Sequence, residues 1–201
     1  MITRYIYPII LGFFLLNACV EVDENTQLVE KPYFDLPAFT QEQIDLLDSL
    51  SKMETSAPQV TKEVLLKGGE EKIQLNPNDE NYPVWEKELQ LFKEADINKP
   101  VLLQAYDIDE GADYKTYKAN QEDLSIQEIK VSYEAEAVSE IYLRLNEENY
   151  LYTSYKDLVM KLQSGHITEI DIKGFRKLVG NDALEYHVKT HLTFPRTFGS
   201  L

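Results

Sequence analysis

Leu184-Glu185-Tyr186-His187-Val188-Lys189-Thr190-His191-Leu192-Thr193-Phe194 is the stretch whose reading decides the fold. Leu184, Tyr186, Val188, Leu192 and Phe194 fall on one side of an extended chain, and Glu185, His187, Lys189 and His191 on the other. Successive side chains of a strand point to opposite faces, so this period of two predicts a strand with one packed and one wet face.

The same alternation runs upstream. Ile129, Val131 and Tyr133 alternate with charged neighbours, as do Ile141, Leu143 and Leu145, then Leu158, Met160 and Leu162, then Ile170 and Ile172. Turn residues separate the runs at Asn146 to Asn149, Ser164-Gly165 and Gly180-Asn181-Asp182. Short connections join antiparallel neighbours, which predicts a meander from about residue 111 to residue 201.

Before it, in about residues 33–110, the period is mostly helical. Thr40 has a hydroxyl that can cap, Gln43 stands where a capping box needs it, and Phe39 can staple to Ile44. Ile44, Leu47 and Leu50, with Leu46 and Met53 nearby, form the apolar face of that helix. Val60 to Leu66 and Glu71 to Leu75 read as a hairpin around Gly68-Gly69. A second helix is predicted from Pro83 to Ala95, with Trp85, Leu89 and Phe92 on one face. The expectation is an α+β domain over 33–201: amphipathic helices packed on one face of an antiparallel sheet, with a short N-terminal hairpin.

The first residues say where the chain goes. Arg4 precedes an apolar run from Tyr5 to Leu16, and Leu16, Asn17 and Ala18 lead into Cys19, the only cysteine. The run is too short for a spanning helix, which takes about 20 residues, and it has the parts of an export signal. Residues 1–18 resemble the signal peptide of a bacterial lipoprotein, with Leu16, Ala18 and Cys19 matching the lipobox and Asn17 a looser fit. The resemblance implies that Cys19 carries a diacylglyceryl thioether and an amide-linked acyl chain such as palmitate. Several chains, at about 0.8 kcal/mol per buried methylene, anchor durably where one does not. Residues 19–32 then read as an acidic tether, and Val20 to Lys31 stretched out reach at most ~40 Å. The acids behind Cys19 also resemble the surface-export signal of Bacteroidota lipoproteins, and a merely solvated linker is the other reading.

The segment Trp85-Glu86-Lys87-Glu88-Leu89, then Phe92, then Asp96-Ile97-Asn98-Lys99-Pro100 and Tyr106, resembles a stretch shared by small uncharacterised lipoproteins of Bacteroidota. It covers about residues 30–110. The resemblance implies a cell-envelope location, most naturally the outer membrane with the leaflet undecided, and implies no activity.

A net charge of −15 argues against nucleic acid, because phosphate binding needs clustered lysine and arginine. It argues equally against adsorption to anionic headgroups, so membrane contact is expected through the lipid alone. No nucleophile elbow, phosphate loop, zincin helix or dinucleotide fingerprint is present. Asp107, Asp109, Glu110 and Asp113 suggest calcium, but counting from Asp107 the fifth, sixth and twelfth positions hold Gly111, Ala112 and Lys118, where a calcium loop needs an acid or Asn, Gly and Glu. His187 and His191 lie ~13 Å apart along a strand, beyond one ion bound at ~2 Å from each. No metal and no cofactor are expected.

Tyrosine is the composition outlier, with 13 residues. Tyr142, Tyr150, Tyr152 and Arg144 are the candidates for contact with a partner, because exposed tyrosines supply rigid amphipathic area; the other reading is strand preference alone. Three functional classes follow. The first is a lipid-anchored envelope module for binding or assembly, with a protein partner in the envelope compatible. The second is a carrier of an apolar ligand or acyl chain, which needs a sizeable apolar cavity where the module needs a filled core. The third is a glycan- or peptide-acting hydrolase, which needs two carboxylates about 5–10 Å apart.

Overall fold

The computed structural model describes residues 31–53, 55–66 and 69–195. Leu16, Asn17, Ala18, Cys19 and the tether up to residue 30 lie outside the described residues.

The described residues build one antiparallel sheet of nine strands. In chain order they are β1 Gln59–Leu66, β2 Gly69–Leu75, β3 Tyr106–Glu110, β4 Tyr114–Ala119, β5 Ile126–Glu134, β6 Ala137–Glu148, β7 Tyr152–Gln163, β8 His166–Leu178 and β9 Leu184–Thr193. Their spatial order is β2-β1-β9-β8-β7-β6-β5-β4-β3. From β3 to β9 the sheet is a meander, and the β1–β2 hairpin then returns to pair with β9, Val60 opposite Leu192 and Val64 opposite Val188.

Bulges between Ile126 and Glu128, between Ser132 and Tyr133, and between Lys161 and Leu162 bend the strands. Hairpins need backbone of positive φ where the loop is tight. Ser164 (φ 52°) and Gly165 (φ 79°) supply it between β7 and β8, and Ala135 (φ 49°) and Glu136 (φ 68°) between β5 and β6.

The expectation of an α+β domain built on helices is overturned: the sheet dominates and the helices are few and mostly short. α1 runs Leu36–Ser51, whereas α2 Trp85–Glu88 and α3 Gln90–Glu94 are single turns. The single helix predicted from Pro83 to Ala95 breaks at Leu89 (φ −102°, ψ 4°). Trp85, Leu89 and Phe92 are nonetheless fully buried, so the apolar spacing reported burial and not an unbroken helix. The hairpin is likewise no N-terminal appendage but one edge of the sheet, so strands already occupy the part read as helical.

α1 also starts earlier than Thr40. Asp35 caps it by accepting from the Ala38 N–H (3.3 Å), Pro37 stands in the first turn, and Phe34 meets Phe39 at 5.5 Å between ring centroids, which is the staple across that cap. Thr40 and Gln43 are consequently buried inside the helix, and the Gln43 side-chain amide donates to the Gly165 carbonyl (3.3 Å).

Among the described residues α1, α2 and α3 lie over one face of the sheet, here the inner face, and cover part of it. Leu36, Ile44 and Leu47 of α1 join Trp85, Leu89 and Phe92 in one cluster with Ile129, Ile141, Leu143, Leu158, Met160 and Ile170. The Trp85 indole N–H donates to Ser51 Oγ (3.0 Å), tying the start of α2 to the end of α1. Among the described residues no helix is long and apolar enough to cross a membrane.

Candidate functional site

The four residues singled out by sequence do not share a surface. Tyr142 and Arg144 stand together on the outer face of β6, where the Tyr142 hydroxyl (2.6 Å) and Arg144 Nε (2.9 Å) both donate to Asp157 Oδ1 of β7. Burial, and then the Asp157 carboxylate, push the Tyr142 hydroxyl above its ordinary pKa. Burial would raise Asp157 too, but hydrogen bonds from Arg144 and Tyr142 outweigh it and hold the carboxyl below its usual range. Tyr142 therefore keeps its proton and spends it inside the protein. Tyr152 faces the inner side and donates to Glu147 (3.0 Å). Tyr150 sits at the turn between β6 and β7, 87% exposed.

The rest of the outer face is a ladder of ion pairs. Glu169 meets Lys161 (2.9 Å), His191 (3.3 Å) and Lys189 (3.7 Å), and Asp171 meets His187 (2.9 Å). Burial would raise Glu169, but the Lys161 hydrogen bond and the Lys161, Lys189 and His191 charges hold it below its ordinary value. His187 and His191 thus face two different carboxylates of β8. Among the described residues no group of three or more His, Cys, Asp or Glu could hold a metal ion.

An open groove of about 740 Å³ runs along the outer face past Leu65 and the stacked rings of Tyr155 and Phe175, 4.9 Å apart. Two of its charged liners, Asp157 and His187, are already committed to Arg144 and Asp171.

The acidic turn does not converge. β3 and β4 form a hairpin across it, with Asp107 opposite Lys118 and Asp109 opposite Thr116 on the outer face and Glu110 opposite Lys115 on the inner. Glu110 pairs with Lys115 (3.0 Å), and Asp109 accepts from the Tyr114 hydroxyl (3.1 Å).

The unspent chemistry lies on the inner face, beyond the end of the helical cover. Ser154 and Lys156 share the parity of Leu158 and Met160 on β7, and Arg176 that of Ile170 and Ile172 on β8. Register places Ser154 opposite Arg176 and Lys156 opposite Gly174. Lys156 and Arg176 are therefore diagonal neighbours, about 7–8 Å apart at their bases.

With Tyr152, Tyr186, Leu178 and Leu184 they line an open pocket of about 570 Å³. Gly174 makes room for it: a methyl there would lie 2.1 Å from Tyr186 Cζ, so the tyrosine ring can lie down across β8 only because residue 174 has no side chain. Burial pushes the Tyr186 hydroxyl above its ordinary pKa, with the Arg176 charge acting against it.

Four basic residues face inward from the strands, and the other two are paired: Lys62 with Glu88 (2.8 Å) and Lys115 with Glu110 (3.0 Å). Lys156 and Arg176 have no ion pair within the described residues. The carboxylate in their pocket, Glu147, is engaged by the Tyr152 hydroxyl. The sequence placed Tyr186 on a packed face and gave no role to Ser154, Lys156, Gly174 or Arg176; the available signal was that Lys156 and Arg176 continue, on the apolar parity, two runs that are otherwise core.

No protein family, curated protein or solved structure matches the chain.

Proposed function

We propose that the protein is a lipid-anchored module of the cell envelope that binds through the open end of its inner face. The lipobox residues Leu16, Ala18 and Cys19 support the anchor. The observation that carries the binding role is the pairing of a filled core with an unfilled mouth. Trp85 and Phe92 of the helical turns and Leu143, Leu158 and Met160 of the strands are all fully buried, while the sheet continues into an open pocket with two cations that have no ion pair among the described residues. A carrier of an acyl chain needs an enclosed apolar hollow to keep the chain from water. Here the covered half is occupied by side chains, which favours the module.

One experiment tests anchor and face together. A photo-crosslinking amino acid is placed at Tyr152 in the open pocket or at Lys118 on the outer face, in intact cells. The expected result is an adduct at residue 152 and none at 118, lost when Cys19→Ala moves the protein from the membrane to the soluble fraction. An anchored protein that yields no adduct at residue 152 overturns the proposal.

A further inference from the structure

We infer that the open pocket takes a small organic anion, its acidic group held between Lys156 and Arg176 and its apolar body laid against Tyr186 and Leu184. The inference rests on the open face being the binding face, and goes further in naming what binds there.

The chain carries a net charge of −15, so its carboxylates outnumber its cations and a basic residue is readily neutralised. Among the described residues Lys62 and Lys115 on this face are in ion pairs and Lys156 and Arg176 are not, although Glu147 lines the same pocket and Glu94 and Asp96 line a neighbouring one with Lys156. Lys156 is half-buried, its flanking inward positions Ser154 and Leu158 are both buried, and with the exposed Arg176 it lines the pocket. Two cations side by side with no carboxylate partner within the described residues repel each other, and a ligand anion between them would supply the partner.

Geometry narrows the class. An arginine fork binds a carboxylate or phosphate by two parallel hydrogen bonds, and a lysine on the diagonal adds a point charge to the same acid group. A pocket near 570 Å³ falls in the range of small-molecule sites, which run about 300–1,000 Å³. Gly174 leaves the Tyr186 ring lying across β8 as an apolar wall, and Leu178 and Leu184 extend it. A bare inorganic ion would leave that wall unused. The ligand is therefore an acid with an aromatic or aliphatic body, whether a free solute or the headgroup of an anionic lipid.

The test uses the full lipidated chain in nanodiscs of phosphatidylcholine, titrated calorimetrically with 2-naphthoate and with its neutral isostere 2-naphthamide. Naphthoate is expected to bind at least tenfold more tightly than the amide. The double variant Lys156→Gln/Arg176→Gln should bring naphthoate to the amide's level with the melting temperature unchanged. Repeating the titration in phosphatidylglycerol nanodiscs separates the two sources: weakened naphthoate binding identifies the lipid headgroup as the occupant, and unchanged binding identifies a free solute. No naphthoate binding, equal binding of the amide, or a double variant that binds naphthoate as the parent does, would each overturn the inference. A crosslink from residue 152 to a protein, together with no naphthoate binding, would leave the binding face standing and remove only the anion.

Discussion

The inner face of the sheet is two surfaces on the same strands. Toward the β7–β8 turn, β7 and β8 point Leu158, Met160, Ile167 and Ile170 at the helices, all at most 2% exposed. A few residues away, on the same side of the same two strands, they point Ser154, Lys156, Gly174 and Arg176 at an open pocket. Strand geometry is the same in both halves; what differs is cover. Where α1 and the turns α2 and α3 lie over the sheet, an unpaired charge would be stranded from water, so the inward positions are mostly apolar and the one lysine there, Lys62, is paired with Glu88 of α2. Where they stop, the inward positions are free to carry a lysine and an arginine. The helices thus mark the boundary between the part of the sheet that holds the fold and the part that is available to a ligand.

This division predicts very different costs for truncation on either side. Met160→Ala leaves a hole in the sealed half and should cost about 2–5 kcal/mol, with Trp85→Ala at about 3–5 kcal/mol. Lys156→Ala, four residues along the same strand, should stay within about 0.5 kcal/mol. Denaturant titration measures all three, and equal losses at 156 and 160 would erase the distinction between the halves.

Next in size is a gain. Ala135 and Glu136 take positive φ without being glycine, a conformation costing an ordinary residue about 1–2 kcal/mol. Replacing the pair by Asn-Gly should raise stability by about 1 kcal/mol while leaving naphthoate affinity untouched, since this turn lies at the far end of the strands from the pocket.

A pH effect separates the outer ladder from both inner halves. The pKa of Glu169 is held below its ordinary value, so the folded state binds its proton less readily than the unfolded chain does. Its contribution is present above the unfolded carboxylate value, near 4.5, and is lost as pH falls through the lower folded value. Thermal melts of Glu169→Gln should show a shallower loss of melting temperature below about pH 4.5 than the parent. A parallel profile would mean that the ladder adds nothing to acid stability.

The smallest effects belong to the exposed tyrosine. Tyr150→Ser should shift stability by less than about 0.5 kcal/mol, whereas Tyr142→Ser, which removes a hydrogen bond to an ionised carboxylate, should cost about 1.5–3 kcal/mol. A loss at Tyr150 matching that at Tyr142 would show the turn to be part of the packed structure.

Much of this was legible in the residues. Period two was readable in β5 through β9, because alternation is imposed locally by the pleat, and so was a hairpin between Val60 and Leu75. Helix length was not: the spacing of Trp85, Leu89 and Phe92 fixes which residues are buried, and one turn either side of a break satisfies it as well as a continuous helix. β3 was missed because Asp107, Asp109 and Glu110 look like a solvated turn until Lys115, Thr116 and Lys118 are found opposite them.

By itself the sequence determined which side chains share a face, since that depends only on the pleat of each strand. Only the tertiary structure decided who stands beside whom. Lys156 and Arg176 are 20 positions apart in the chain and become neighbours through the register of β7 on β8, with Gly174 between them and Tyr186 lying over it. That register is set by turns, bulges and the apolar layer under the helices acting together, so no local pattern carries it.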